Sequence, residues 1–219
     1  MKLKITCAFL ALAGTSFGAL VSLSSVGSNY NGTDDYGILL SNGTPVAQGA
    51  GIARAGYFTI SDSLVASLAG SGDYATLFAT GNFVTVTSDD FTGINAAYGA
   101  NAGFVSGSIS NYDAAGRNNT LYCYFTSGTD LGLIKTTSTL VPDLGGTSPE
   151  FSYLLNFATG VGQGTALIGA AGPTYQVAYN GLGPAPTNVQ SFQLAAVPEP
   201  SAALLGALGA LGLLRRRRN

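Results

Sequence analysis

The sequence predicts an all-β body, an antiparallel sandwich or a barrel, flanked by two short terminal segments that stand outside that fold. Three observations carry this. Short apolar or β-branched runs recur between residues 20 and 194, at intervals of about ten residues, the rhythm of a sandwich or barrel. Asn-Gly, Ser-Gly, Gly-Gly and Gly-Pro pairs stand between them and punctuate turns. No long stretch repeats its apolar residues every 3.6 or so positions, as an amphipathic helix would.

Strands are expected over 21–26, 36–40, 56–60, 74–78, 82–87, 104–109, 120–126, 133–137, 151–157, 166–168, 175–179 and 189–194. Asp62-Ser63-Leu64-Val65-Ala66-Ser67-Leu68 reads instead as a helical turn or two with Asp62 as cap. Composition does not shift within the body. The nearest thing to a linker, Gly181-Leu182-Gly183-Pro184-Ala185-Pro186, is followed by a closing strand. The expected organisation is therefore 1–19, 20–195 and 196–219, with one exported body long enough to bury a core.

Charge is scarce and segregated. Only 9% of the residues are charged while 46% are hydrophobic, against about 25% charged in an ordinary soluble domain. Six of the nine cations lie at the ends, Lys2 and Lys4 in front and Arg215, Arg216, Arg217 and Arg218 behind. The body keeps three cations against ten carboxylates, a formal charge of −7. Such a body lacks the cationic surface that neutralises phosphates, which excludes a nucleic-acid partner.

The front follows the order of a secretory leader. Lys2 and Lys4 give a positive start, Ile5 to Ala13 form a nine-residue, largely apolar stretch, and Gly14 to Ala19 are mostly small. Ser16 and Gly18 suit the positions before a cut, which places cleavage after Gly18 or Ala19.

The back has three parts. Val197-Pro198-Glu199-Pro200 comes first, and its prolines favour an extended backbone. Ser201 to Leu214 follow, fourteen residues without a charge. As a helix they would reach about 21 Å, short of a hydrocarbon core roughly 30 Å thick, which suits a weak, transient anchor. The four arginines come last and stay on the cytoplasmic side, leaving the body outside.

This ordered tail, covering 196–219, resembles the PEP-CTERM sorting tail of Gram-negative bacteria. In that family a membrane transpeptidase, the exosortase, recognises the Pro-Glu-Pro element and removes the tail. The resemblance implies that Val197, Pro198, Glu199 and Pro200 are the sorting and processing element, and that Arg215, Arg216, Arg217 and Arg218 set membrane orientation. It implies an exosortase-type transpeptidase and the general secretion machinery as partners. It also implies a protein that is exported, held briefly at the inner membrane with its body outside, and then placed on the cell surface or released. The glycine- and tyrosine-rich body resembles those found ahead of such tails, and no functional residue carries over to it.

Chemistry within the body is sparse. Histidine is absent, which removes Ser-His-Asp and Cys-His arrangements and the usual zinc sites. No glycine-rich stretch ends in the Lys-Ser or Lys-Thr of a phosphate loop. Cys123, inside Leu121-Tyr122-Cys123-Tyr124-Phe125, reads as a small buried hydrophobe. Asp34, Asp35, Asp89, Asp90, Asp113, Asp130, Asp143 and Glu150 are formally available to a carboxylate-based glycoside hydrolase, but most sit among turn residues. The chain is therefore read as no enzyme, and no cofactor is required.

Calcium is the one metal considered. Asn29, Asn31, Asp34 and Asp35 alternate oxygen ligands along one loop, and Asp89 and Asp90 form an adjacent acid pair, although the EF-hand pattern is not met. The reading that results is a structural cell-surface or matrix protein, a β-body that the family resemblance would place within extracellular polysaccharide. The alternative is a carbohydrate-binding module, whose aromatic platform would come from eleven tyrosines without tryptophan.

The leader reading makes a direct expectation. Protein recovered from outside the inner membrane begins at Ala19 or Leu20 by mass spectrometry, and Met1 on that material would contradict export through a cleaved leader.

Overall fold

The structure is a computed structural model that describes residues 19–25, 36–91, 102–112, 118–139, 151–154, 164–177 and 187–197. Along the chain these form β1 (Ala19–Ser24), β2 (Tyr36–Leu39), β3 (Ile52–Phe58), α1 (Asp62–Ser71), α2 (Tyr74–Leu77), β4 (Phe83–Asp89) and β5 (Ser106–Tyr112). There follow β6 (Thr120–Ser127), β7 (Asp130–Thr139), β8 (Phe151–Leu154), β9 (Thr165–Ile168), β10 (Ala170–Val177), β11 (Thr187–Gln193) and β12 (Ala195–Ala196).

The middle of the fold is a sheet in the order β12-β7-β6-β3-β4, in which β9 shares the outer edge of β7 with β12. Its centre is β6, where the alternation in Leu121-Tyr122-Cys123-Tyr124-Phe125 decides the layering. Successive side chains of a strand point to opposite faces. Leu121, Cys123 and Phe125 are fully buried on one face with Ala53, Ala55, Tyr57 and Ile134. They meet Leu23 of β1, Tyr36 and Ile38 of β2, and Phe192 of β11. Those partners come from two smaller sheets, β5-β1-β8 and β10-β11-β2, so this side is a sheet-on-sheet sandwich. On the opposite face Tyr122 joins Phe58, Leu131 and Leu133 against Val65 and Ala69 of α1, Leu77 of α2 and Ile168 of β9. A layer of short helices covers that side.

α1 forms where Val65, Leu68 and Ala69 make a narrow apolar stripe at helical spacing. Its cap differs from the sequence expectation. Ser61 has extended backbone, and its hydroxyl accepts from the Leu64 N–H at 3.3 Å. Asp62 is the first helical residue instead. The helix stops at Gly72, whose φ of +75° is the left-handed conformation that glycine adopts cheaply.

Three further expectations are corrected. Residues 74–78 are not a strand: Asp73 accepts from the Thr76 N–H at 3.1 Å and caps α2. Tyr74, Leu77 and Phe78 then share one helical face against the sheet. Periodicity over five residues cannot separate the two readings, and the cap decides. The small sheets are mixed rather than purely antiparallel. β1 pairs with β8 in parallel, and β2 pairs with β11 in parallel. A period of two is common to both directions, and strands so far apart in sequence have no hairpin turn to dictate direction. Finally, β12 pairs with β7 beyond the last expected strand, Ala195 opposite Leu131 and Ala196 opposite Asp130.

Residues 1–18 of the expected leader (1–19) and residues 198–219 of the expected tail (196–219) lie outside the described residues. Among the described residues no helix is long and apolar enough to cross a membrane. β1 starts at Ala19, where the expected leader ends.

The close approach of β3 and β4 makes one position intolerant. A Cβ at Gly56 would lie 2.1 Å from the Val84 carbonyl oxygen, a backbone atom that cannot move aside alone. Gly56→Ala is expected to destabilise the body by about 1–3 kcal/mol through overpacking. Gly70→Ala, in α1 with nothing within 4 Å of the new methyl, should be neutral or stabilise by up to about 1 kcal/mol. Thermal melts of the two variants check the contrast.

Candidate sorting junction and the polar sites of the body

The C-terminal segment of the body is held continuously up to the first residue of the sorting element. β11 lies between β10 and β2. The Leu194 N–H then donates to the Leu39 carbonyl at 2.8 Å, β12 crosses to β7, and the Val197 N–H donates to the Thr129 carbonyl at 3.0 Å. Val197 also packs against the cluster under the helices. Of the expected processing residues, Val197 is therefore tied to the folded body, one residue past β12. Pro198, Glu199, Pro200 and the four arginines lie outside the described residues.

A polar brace secures this end. Asp130 accepts from the Ser41 N–H at 2.8 Å and from the Ser41 hydroxyl at 2.9 Å. The Gln193 side-chain amide donates to the Ser41 carbonyl at 2.8 Å. The loop after β2 thus grips both the first residue of β7 and the last residue of β11, on either side of the crossing. Asp130, one of the formally available acids, is used here as a hydrogen-bond acceptor.

At the other end of the sheet four side chains converge that the sequence did not bring together. Asp62 Oδ1 accepts from the Tyr122 hydroxyl at 2.8 Å, Oδ2 accepts from the Thr120 hydroxyl at 2.8 Å, and Lys135 Nζ lies 2.7 Å from Oδ2. Burial raises the Asp62 pKa, but hydrogen bonds from Lys135, Tyr122 and Thr120 and the lysine charge outweigh it and hold the carboxyl below its ordinary value. Burial, followed by the adjacent carboxylate, pushes the Tyr122 phenol well above its ordinary range. The arrangement ties the start of α1 to β6 and β7. No local motif signals it, because Thr120 and Tyr122 lie 58 and 60 residues from Asp62.

The remaining candidates separate. Asn29, Asn31, Asp34 and Asp35 lie outside the described residues. Asp89 ends β4 with its side chain buried, whereas Asp90 is exposed. Asp90 lines an open cleft of about 440 Å³ with Gly49, Ala50, Gly51, Thr126 and Gly128. Among the described residues no three His, Cys, Asp or Glu side chains gather.

Tyrosines are committed to packing where their side chains are described. Tyr124 stacks on Phe78 with ring centroids 4.3 Å apart, and the Arg54 guanidinium sits over its ring at 5.7 Å. Tyr122 meets Phe58 edge to face. Leu64 is the large hydrophobic residue left exposed among the described residues, while Tyr74, Phe78, Phe83, Tyr124 and Tyr175 are partly exposed. Cys123 is fully buried, and burial raises its thiol pKa far from nucleophilic use.

Comparison with known families identifies the segment that leaves this junction: residues 196–218 match the PEP-CTERM protein-sorting motif. The match begins inside β12. The C-terminal segment is a PEP-CTERM sorting signal, which implies an exported protein processed by an exosortase, a membrane enzyme. Neither the comparison with curated proteins nor that with solved structures found a match for the chain.

The Asp62 cluster gives a pH-dependent expectation. A carboxylate whose folded pKa is lowered adds stability that is complete above its ordinary pKa and is lost as pH falls through the folded value. Asp62→Ala strands the part-buried Tyr122 hydroxyl, at a cost of about 1–3 kcal/mol at neutral pH. The ion pair itself, with side chains 36% and 40% exposed, adds no more than about 1 kcal/mol of that. The gap in melting temperature between wild type and variant should narrow below pH ~4, as the wild-type carboxyl protonates. A gap that stays constant into acid would show that the charge of Asp62 is not what stabilises the tie.

Proposed function

We propose that this chain is an exported structural protein. Its β-body is delivered through the C-terminal sorting signal and freed from the inner membrane by an exosortase-type transpeptidase. The observation that carries the proposal is the sorting-motif match over 196–218, which starts in the last strand of a folded body. The body is placed outside, first anchored and then on the cell surface or in the surrounding matrix. The structural role is supported by how polar side chains are spent: Asp62 and Asp130 both brace elements against one another.

In this reading three features act in series. The arginines stall translocation, since moving four charges through hydrocarbon is costly. The apolar run holds the chain in the membrane, and its shortness makes it a poor permanent anchor. The prolines keep the sorting element from continuing a helix upward and leave extended backbone for the enzyme.

Replacing Pro198, Glu199 and Pro200 with alanine should leave export intact and retain the full-length chain in the inner membrane. Replacing the four arginines with serine should instead weaken retention and orientation before cleavage. Fractionation with intact-mass measurement reads both. An alanine variant that reaches the outside with the wild-type mature mass would reduce the tail to an anchor without sorting function.

A further inference from the structure

We propose that the β6–β7 turn is the surface of the body against which the processing enzyme closes. This rests on the sorting reading above. The argument starts from the length of free chain. Val197 is bonded to Thr129, and the uncharged run begins at Ser201. Only Pro198, Glu199 and Pro200 lie between. From Val197 to Ser201 a fully extended backbone spans at most about 14 Å, and the headgroup zone takes up about 5–7 Å of that. An enzyme that grips the tail in this interval must therefore touch the folded body.

The part of the body it touches is fixed by register. Ala195 lies opposite Leu131, Ala196 opposite Asp130, and Val197 reaches Thr129, so the tail departs beside the turn between β6 and β7. That turn suits a close-fitting partner. Gly128 and Thr129 are exposed and uncharged, and the Ser127 hydroxyl is turned back to the Ala50 carbonyl at 2.8 Å. The cleft lined by Gly49, Gly51 and Thr126 opens next to it, with Asp90 as its one charged lining residue. The turn is also stiff, because Asp130 is held by Ser41. The enzyme thus meets a small, rigid surface whose charges are Asp90 and the Ser41-bonded Asp130, at a set distance from the peptide it must hold.

The test is steric. Thr129→Trp adds bulk at an exposed position of the turn. It should slow tail removal on the order of tenfold or more, because small misplacements at a reacting site carry large rate penalties. Leu64→Trp adds similar bulk at an exposed site on α1, beside the Asp62 tie at the opposite end of the sheet, and should leave the rate unchanged. Inserting about twelve Gly/Ser residues between Val197 and Pro198 adds roughly 20 Å of flexible reach and should restore the rate of the Thr129→Trp chain. The readout is the ratio of full-length to mature protein in a pulse-chase on the whole chain in its exporting cell, with protease resistance of the body confirming that each variant is folded. Wild-type rates for Thr129→Trp, equal slowing by Leu64→Trp, or no rescue by the insertion would each overturn the proposal. Wild-type processing that survives loss of Pro-Glu-Pro would instead strike the sorting reading on which it rests.

Discussion

The structure hangs on the passage of the C-terminal strand from one sheet to another. β11 belongs to the sheet with β10 and β2, while β12, one residue later, belongs to the central sheet. Leu194 lies at the crossing, buried, with its N–H bonded to Leu39. The two layers are thus sewn together here, as they are again at Gly169, where β9 of the central sheet runs directly into β10. Phe192, in the same segment, packs on Phe125 with ring centroids 5.9 Å apart. Gly132 of β7 has no room for a side chain there, because a Cβ would fall 2.6 Å from both Leu194 and Phe192. The stitch is packed as well as hydrogen-bonded, and the sorting signal leaves directly from it.

The double-sided burial of β6 supplies the other half of the architecture. A strand buried on both faces must have both covered, and a sheet can offer only one sandwich partner per face. The tyrosine face is covered by α1 and α2, which are too short to be stable alone. Their position is set by tertiary contacts: the aromatic group around Phe58 and Phe78, and the Asp62 tie to Thr120, Tyr122 and Lys135. In a body with so little charge, that one carboxylate matters because it satisfies the hydroxyls of Thr120 and Tyr122 on β6.

What was legible in the sequence is what local chemistry encodes. The alternation in 120–126 and the turn pairs place β6 and most other strands within a few residues, and the prolines, apolar run and arginines mark the tail. What was not legible depends on distance. The direction of β2 against β11 and of β1 against β8 follows from the layering of the whole fold, and no turn records it. α2 was hidden because Tyr-Ala-Thr-Leu-Phe satisfies a strand pattern as well as a helical one, and Asp73 tips it. The Asp62 cluster was hidden because strand register, a property of the sheet, brings Thr120 and Tyr122 to face the start of α1. The motif places Val197 in the tail, and only its hydrogen bond to Thr129 in the β6–β7 turn shows that it is also held by the body.

The parallel pairing of β2 with β11 has a consequence for when the body becomes complete. It joins residues 36–39 to residues 190–193, close to the largest sequence separation the body allows. Such contacts form late, because the entropy of closing a long loop precedes any gain from the pairing. In an exported chain they cannot form until residue 193 is outside, and by then Val197 is four residues from following it. The folded state that grips the tail and the tail presented for processing thus arise together, over the same few residues and on the same side of the membrane. A body that had not closed β2 onto β11 would lack the Leu39 contact to Leu194 and the Ser41 contact to Gln193. Its last strands would keep their pairing to β10 and β7 but lose the contacts that fix the crossing between the two sheets. Completion of that pairing is therefore what fixes where the tail leaves the body.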